Sequence, residues 1–475
     1  MGGPTRYALA LGHRASPNGS MPTFTSHRLS PALLGLLSLL SLLGSACVTD
    51  PVNGRLEYSL VQWTPERERE VGDAEAPRLE RELEAPLADP AAQRIVSDLV
   101  AELAAASPRR DELDFRVTVV ATSVPNAMAL PGGQVFVTRG LLAEVGSEAE
   151  LVAILGHEIG HAEHRHAMTG SSKGAVIGLP AVPFEWLSGV LPVGHRVTGF
   201  TGAVLAAPSQ LVSLKFSRQA ELEADRRGAY YAHRLGYDPR ELRRVYERGS
   251  DGPKSALLST HPTDAERMKQ LDRHIRRRYP EVLERSPESF RGTSPEVAGL
   301  LERLRERAPA YEDHARARAL LGSGAGGDPA AAWDALAPAL ELAPDEPLFW
   351  ILAGEIAMAG EDGTGARLAF LRADSLYRRS LGDRGHWKPP FYLGLIDLGQ
   401  GAPARAESRL ASAAKRAPDH PSPRFFQGIA LEELGRDGDA LAAYRAAEAL
   451  TGKDEALKQQ IRERRSALER GLAED

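Results

Sequence analysis

The chain has 475 residues, 43% hydrophobic and 26% charged, which is the balance of a soluble globular protein long enough for two or three domains. A formal charge of −6, with no aromatic-interleaved basic patch, gives no reason to expect nucleic acid as a partner. The single cysteine excludes an internal disulfide.

Residues 1–49 contain neither Asp nor Glu, and 31–43 form an apolar run too short to span a bilayer comfortably. That pattern reads as the h-region of a signal peptide. It ends in Leu43-Gly-Ser-Ala-Cys47, which resembles a bacterial lipobox, with Gly44 where Leu is usual. Lipidation at Cys47 would tether the protein to a membrane without spanning it. Val48 in place of Asp then favours, by the same resemblance, the outer membrane; ordinary signal-peptidase cleavage nearby is the alternative. Met21, followed by His27 and Arg28, opens a more regular signal peptide and is the expected start within the 1–47 leader. An acid-free leader is also compatible with organellar transit, but the uninterrupted apolar run argues against it.

Residues 64–106 are rich in Glu and Arg, with apolar residues three and four apart, which predicts helix. Residues 115–121 alternate as a strand, and 134–138 form another. Ser147 and Glu150 make a capping box that opens the next helix. On that helix lies His157-Glu158-Ile-Gly-His161, an HExxH motif. One turn apart on one face, His157 and His161 can converge on a metal ion, with Glu158 beside them as a base. A zinc ion held by two imidazoles and one further protein ligand keeps a position open for water. Leu151, Val152, Leu155 and Ile159 should pack away from the histidines, while His164 and His166 should be solvated. The metzincin arrangement is excluded, because position 164 is His instead of Gly and position 167 is Ala.

Residues 174–194 are apolar but broken by Pro180, Pro183, Glu185 and Pro192, which suits a lid over a cleft better than a membrane span. Further on, Glu221 and Asp225 share a helical face with the small residues Ala224, Gly228 and Ala232. Such a stripe would let this helix approach the histidine helix, making Glu221 the third metal ligand and Asp225 the acceptor for a ligand imidazole. Taken alone, the segment reads rather more readily as an ordinary charged helix. Glu223 points to another face and should be solvated.

The HEIGH sequence followed by SRxxExEAD resembles the M48 family of zinc metalloendopeptidases, in which the glutamate at the position of Glu221 is the third zinc ligand. Residues 126–142 resemble that family's NAFxLPGGxVFVxxGLL segment, and Thr260-His261-Pro262 with Arg267 resembles its THPxxxxR signature. Asp50-Pro-Val-Asn-Gly-Arg55 resembles the NPVTGR entry of periplasmic members. The resemblance covers roughly residues 50–280. It implies an α+β zincin domain of gluzincin type over 48–285, with one Zn2+ on His157, His161 and Glu221 and with Glu158 as general base. It also implies an edge strand at Asn126, Ala127, Met128 and Ala129 that pairs with extended substrate, a purely structural hairpin being the alternative. His261 would be a regulatory fourth ligand or a residue that merely fixes its loop.

A basic helix around Arg273 to Arg278 leads to an expected linker at 286–310. Beyond it, over 311–475, Ala332, Ala366, Ala406 and Ala440 stand 34, 40 and 34 residues apart. Gly354, Gly394 and Gly428 precede the last three by twelve, whereas the first repeat has Leu320 there. Four residues after each alanine comes Leu336, Phe370, Leu410 or Tyr444, and three later Ala339, Ala373, Ala413 or Ala447. Small residues at helix crossings with a large knob between them, together with Pro344, Trp350 and Pro418, resemble tetratricopeptide (TPR) repeats, an all-α solenoid closed by a capping helix at 453–472. The combination resembles periplasmic M48 proteins linked to outer-membrane protein assembly. It implies an endopeptidase for unfolded or misassembled envelope proteins, with the repeats delivering substrate or docking on assembly machinery. A chaperone or scaffold with latent proteolysis and an integral-membrane M48 protease are the alternatives.

Overall fold

The computed structural model describes residues 47–58, 63–169, 216–250, 261, 265–322, 327–452 and 454–474. The leader up to residue 46 and the expected lid at 174–194 lie outside the described residues. A hairpin of β1 (Cys47–Thr49) and β2 (Leu56–Tyr58) comes first, with Cys47 opposite Tyr58. Helices α1 (Pro65–Glu82) and α2 (Pro90–Ala105) follow. Each starts on a side-chain cap, Thr64 or Asp89, with proline at the first turn where a missing N–H costs nothing. The single helical stretch expected over 64–106 is therefore two helices. Pro86 between them cannot continue a helix, and it bridges to Val120 while Leu87 N–H donates to the Val119 carbonyl.

Three strands form the sheet: β3 (Arg116–Val120), β4 (Ala127–Ala129) and β5 (Gln134–Thr138), in the order β3-β5-β4. β3 runs parallel to β5 and β4 antiparallel to it, with Met128 opposite Phe136. β4 thus lies at the edge. In the turn into β5, Gly132 takes φ 85°, and a Cβ there would sit 2.7 Å from the Arg69 Cα, so only glycine fits.

Helix α3 (Arg139–Glu144) leads into α4 (Glu148–Glu163), the histidine helix. Ser147 Oγ accepts the Glu150 N–H at 3.2 Å, and Glu150 Oε2 accepts the Gly146 N–H at 2.7 Å, so the capping box closes one residue earlier than its usual form. Helix α4 is buried all round, its histidine face included. Helix α5 (Arg218–Arg234) covers its histidine side. An added Cβ would come within 2.9 Å of Tyr231 Cβ at Gly156, 2.7 Å of Arg227 Cβ at Gly160 and 2.8 Å of the Ala153 carbonyl at Gly228. The small stripe on α5 does its expected work, and Gly156 and Gly160 supply the matching half on α4.

Helices α6 (Glu241–Ser250) and α7 (Ala265–Arg278) pack beside this pair. The stretch 286–310 is not a bare connector. It contains α8 (Pro295–Glu306), capped by Ser294, whose Val297, Leu300, Leu301 and Leu304 recur at helical spacing and are buried. One apolar core runs from α2 and the sheet through α8 into α9 (Ala308–Leu321), α10 (Pro329–Leu342) and α11 (Pro347–Ala359).

The array continues through α12 (Gly363–Leu381), α13 (Lys388–Gly399), α14 (Pro403–Arg416), α15 (Pro421–Glu433), α16 (Asp437–Leu450) and α17 (Glu455–Glu474). Neighbouring helices pack as pairs, α9 with α10 through α15 with α16. A Cβ on Gly354, Gly394 or Gly428 would fall 2.5, 2.7 or 2.5 Å from the ring or branch of Phe370, Leu410 or Tyr444. Each large knob therefore fills the space over a glycine on the partner helix. The array also touches the first domain directly, since Arg81 pairs with Asp419 and Arg318 with Glu84. No described helix is long and apolar enough to cross a membrane.

Candidate metal centre

Helix α4 sets His157 and His161 one turn apart with their Nε2 atoms 3.1 Å from each other. Because α5 crosses so closely, Glu221 reaches them. Its Oε2 lies 3.6 Å from His157 Nε2 and its Oε1 3.8 Å from His161 Nε2. His261 turns its Nδ1 to the same point, 3.3 Å from His157 Nε2 and 3.1 Å from Glu221 Oε1. The four side chains are buried, and their ligand atoms lie within 4.8 Å of one another. Three imidazole nitrogens and a carboxylate facing a common point form the donor set that a divalent cation of borderline softness takes, so the residues fit a metal.

Glu158 stands next to this cluster, with His261 Nε2 3.4 Å from its Oε1. Burial raises its pKa, against the opposing pull of His261 and His157, which makes it a stronger base than an exposed carboxylate. Burial likewise pushes His161 well below its ordinary value, reinforced by His157 and His166, and so favours the neutral form that can donate a lone pair. For Glu221 burial works upward, but His261, Arg267 and His157 outweigh it and keep the carboxylate ionised. For His261 burial works downward, yet Glu221 and Glu158 hold it up to about 8.

Asp225 Oδ1 lies 3.1 Å from His157 Nδ1. Arg267 grips it with Nε and Nη2, both at 2.7 Å, and Tyr246 Oη donates to it at 2.8 Å. Burial alone would raise the Asp225 pKa, but Arg267 and His157 hold it well below the usual carboxylate range. Arg267 also lies 2.7 Å from Glu221 Oε2 and donates to the His261 carbonyl at 3.3 Å. The sequence offered it only as a motif residue. In the structure it ties two metal-facing residues to the acceptor behind them. At the edge strand, Asn126 N–H donates to Thr138 Oγ1 at 2.8 Å, while Ala127 and Ala129 pair with Val137 and Val135.

Three expectations are corrected. His164, His166 and Glu223, read as solvated, are 3%, 0% and 5% exposed. His166 Nδ1 lies 2.9 Å from His161 Nδ1 and its Nε2 3.2 Å from Glu223 Oε2; His164 Nδ1 lies 2.6 Å from Asp50 Oδ2. Helical periodicity misplaces these histidines because α4 ends at Glu163, and Arg165, at φ 59°, turns the chain back beneath His161. Phe216, stacked on His161 at 4.0 Å, was not singled out as a site residue either.

The site is an HExxH helix crossed by a glutamate-bearing helix, beside a small mixed sheet. Residues 87–275, which carry the site, match the family model for peptidase family M48. The chain is 35% identical over 173 residues to mitochondrial metalloendopeptidase OMA1 of Arabidopsis thaliana, covering 35% of this chain and 33% of the relative. To the protein of the same name in Schizosaccharomyces pombe it is 31% identical over 186 residues, covering 37% and 51%. To the beta-barrel assembly-enhancing protease of Escherichia coli it is 27% identical over 174 residues, covering 35% of each. The similarity thus spans between a third and about a half of these relatives' lengths.

Proposed function

We propose that this chain is a zinc-dependent endopeptidase acting on unfolded or misassembled proteins of the bacterial cell envelope. The observation that carries the reading is the arrival of Glu221 beside His157 and His161, with Glu158 adjoining. His157, His161 and Glu221 would hold the ion, which when bound supplies Lewis acidity to the scissile carbonyl and the attacking water. Asp225, whose Oδ1 stands 3.1 Å from His157 Nδ1, would accept that ring's Nδ1 proton and so keep its Nε2 lone pair directed at the site. Glu158, made more basic by burial, takes the proton of the attacking water and returns it to the leaving amine. A substrate strand added along the free edge of β4 would run beside the histidine helix, against which β4 packs. Glu158→Gln should lower cleavage of an unfolded protein by about 10²–10⁴-fold at unchanged metal content. Cleavage at the wild-type rate would defeat the assignment.

The envelope address rests on the leader, with Cys47 as lipid anchor to the outer membrane. The name of the Escherichia coli relative supports it, while the relatives named for mitochondria share the same segment and do not choose between the two. We read the paired helices as a TPR solenoid that delivers substrate or docks on the outer-membrane assembly machinery; the glycine-and-knob packing supports this. His261 is read as a regulatory fourth ligand. A second reading, a chaperone or scaffold with latent proteolysis, is favoured by the burial of His157, Glu158, His161, Glu221 and His261, none more than 3% exposed. His261→Ala should then raise cleavage; an unchanged or lower rate with metal retained contradicts a closing role for His261.

A further inference from the structure

Resting on the metal reading above, we propose that His166 and Glu223, steadied by the strap at 50–55, are positioning residues that fix the tautomer and orientation of His161. His161 offers Nε2 to the metal position, so its remaining proton sits on Nδ1 and needs an acceptor. The atom there is His166 Nδ1, 2.9 Å away. His166 must therefore keep its own lone pair on Nδ1 and its proton on Nε2, which faces Glu223 Oε2 at 3.2 Å.

Glu223 is fully engaged in turn. Its Oε1 accepts from Arg55 Nη1 at 2.9 Å, Gln219 Nε2 at 2.9 Å and Asn53 Nδ2 at 3.3 Å. Two of these donors come from the strap, whose shape is set by Asp50. Its Oδ1 accepts the Val52 and Asn53 N–H groups at 2.8 and 3.0 Å, and its Oδ2 holds His164 at 2.6 Å. The His164 ring lies parallel to His166, 5.2 Å away. Both imidazoles of the HExxH motif thus end on an anchored carboxylate, His157 directly on Asp225 and His161 through one intervening ring.

His164, His166 and Glu223 also lie close enough to hold a cation of their own, with ligand atoms within 4.8 Å of one another. The shared hydrogen bond excludes that use while His161 binds metal. His166 Nε2 then carries a proton and has no lone pair to give.

The test uses the full chain and zinc alone, with affinity measured by chelator competition and geometry read from the visible spectrum of the Co2+-substituted protein. His166→Phe should weaken zinc binding by about 10–100-fold and alter the Co2+ spectrum. Glu223→Gln should do both to a lesser degree, and Arg55→Ala should weaken binding least. A purely structural role would lower the melting temperature and leave affinity and spectrum as in wild type. That result in Glu223→Gln and Arg55→Ala overturns the relay even if His166→Phe fails to fold. Two zinc ions per wild-type chain would also overturn it. A wild-type chain that binds no metal defeats the underlying metal reading, and the relay with it.

Discussion

The crossing of α4 with α5 and the pairing of α15 with α16 solve one problem in two ways. Both bring helices close by placing glycine where a side chain would intrude. In the array the glycine receives a large knob from 16 residues further along, as Tyr444 fills the space over Gly428, and the contact is local and mainly apolar. At the metal site the glycines meet backbone and Cβ atoms, and the closeness lets charged side chains from positions 50 to 267 interlock in a buried network. A repeat contact can be weakened by degrees. The network has no such tolerance, because removing one member strands a buried charge.

The largest effect should come from Gly228→Leu, which drives a side chain into the Ala153 carbonyl and forces the two metal-bearing helices apart. Circular dichroism and metal content together should show loss of the bound metal; retention of metal at wild-type affinity would mean that the crossing is looser than drawn. Arg267→Met follows, leaving Asp225 and Glu221 without their buried cation at about 3–5 kcal/mol. Denaturant unfolding measures that cost, and metal affinity should fall with it. In the array, Leu410→Ala should cost about 2–5 kcal/mol without changing cleavage of a short unfolded peptide. Gly428→Ala, which overpacks against the Tyr444 ring, should cost about 1–3 kcal/mol. A change in peptide cleavage by either array variant would blur the distinction between the two regions.

The smallest effect is a pH dependence. Burial pushes His314 down to about 3, with Arg318 and Lys388 adding to the shift. Its folded pKa lies below the ordinary value of 6.5, so the unfolded chain binds more protons between the two. Its contribution to stability is complete above about pH 6.5 and is lost as the pH falls towards 3. His314→Gln should flatten the acid side of a melting-temperature profile.

What the sequence disclosed divides along the same line. The repeat spacing, the HExxH pair and the Glu221–Asp225 face are local patterns, each written on single helices: His157 and His161 lie on α4, Glu221 and Asp225 on α5. Misreadings arose where distant segments meet or a helix ends. Pro86 broke one predicted helix into two, and α8 filled a stretch whose Pro and Ser content suggested a linker although Val297, Leu300, Leu301 and Leu304 carry a helical period. His166 looked solvated because a periodicity argument assumes that the helix continues, while the turn at Arg165 folds it inward; Glu223, within α5, is covered by His166, Asn53 and Arg55 from segments that spacing along its own helix does not reveal. Arg267 was visible as a motif residue, but its contacts with Glu221 and Asp225 lie over forty residues away, beyond the reach of spacing.

The most direct measurement is the zinc content and affinity of the purified full chain beside Glu221→Ala. Close to one tightly held zinc per wild-type chain is expected, with loss of tight binding in Glu221→Ala and helical content preserved. Zinc held by Glu221→Ala as tightly as by the wild type would contradict this expectation.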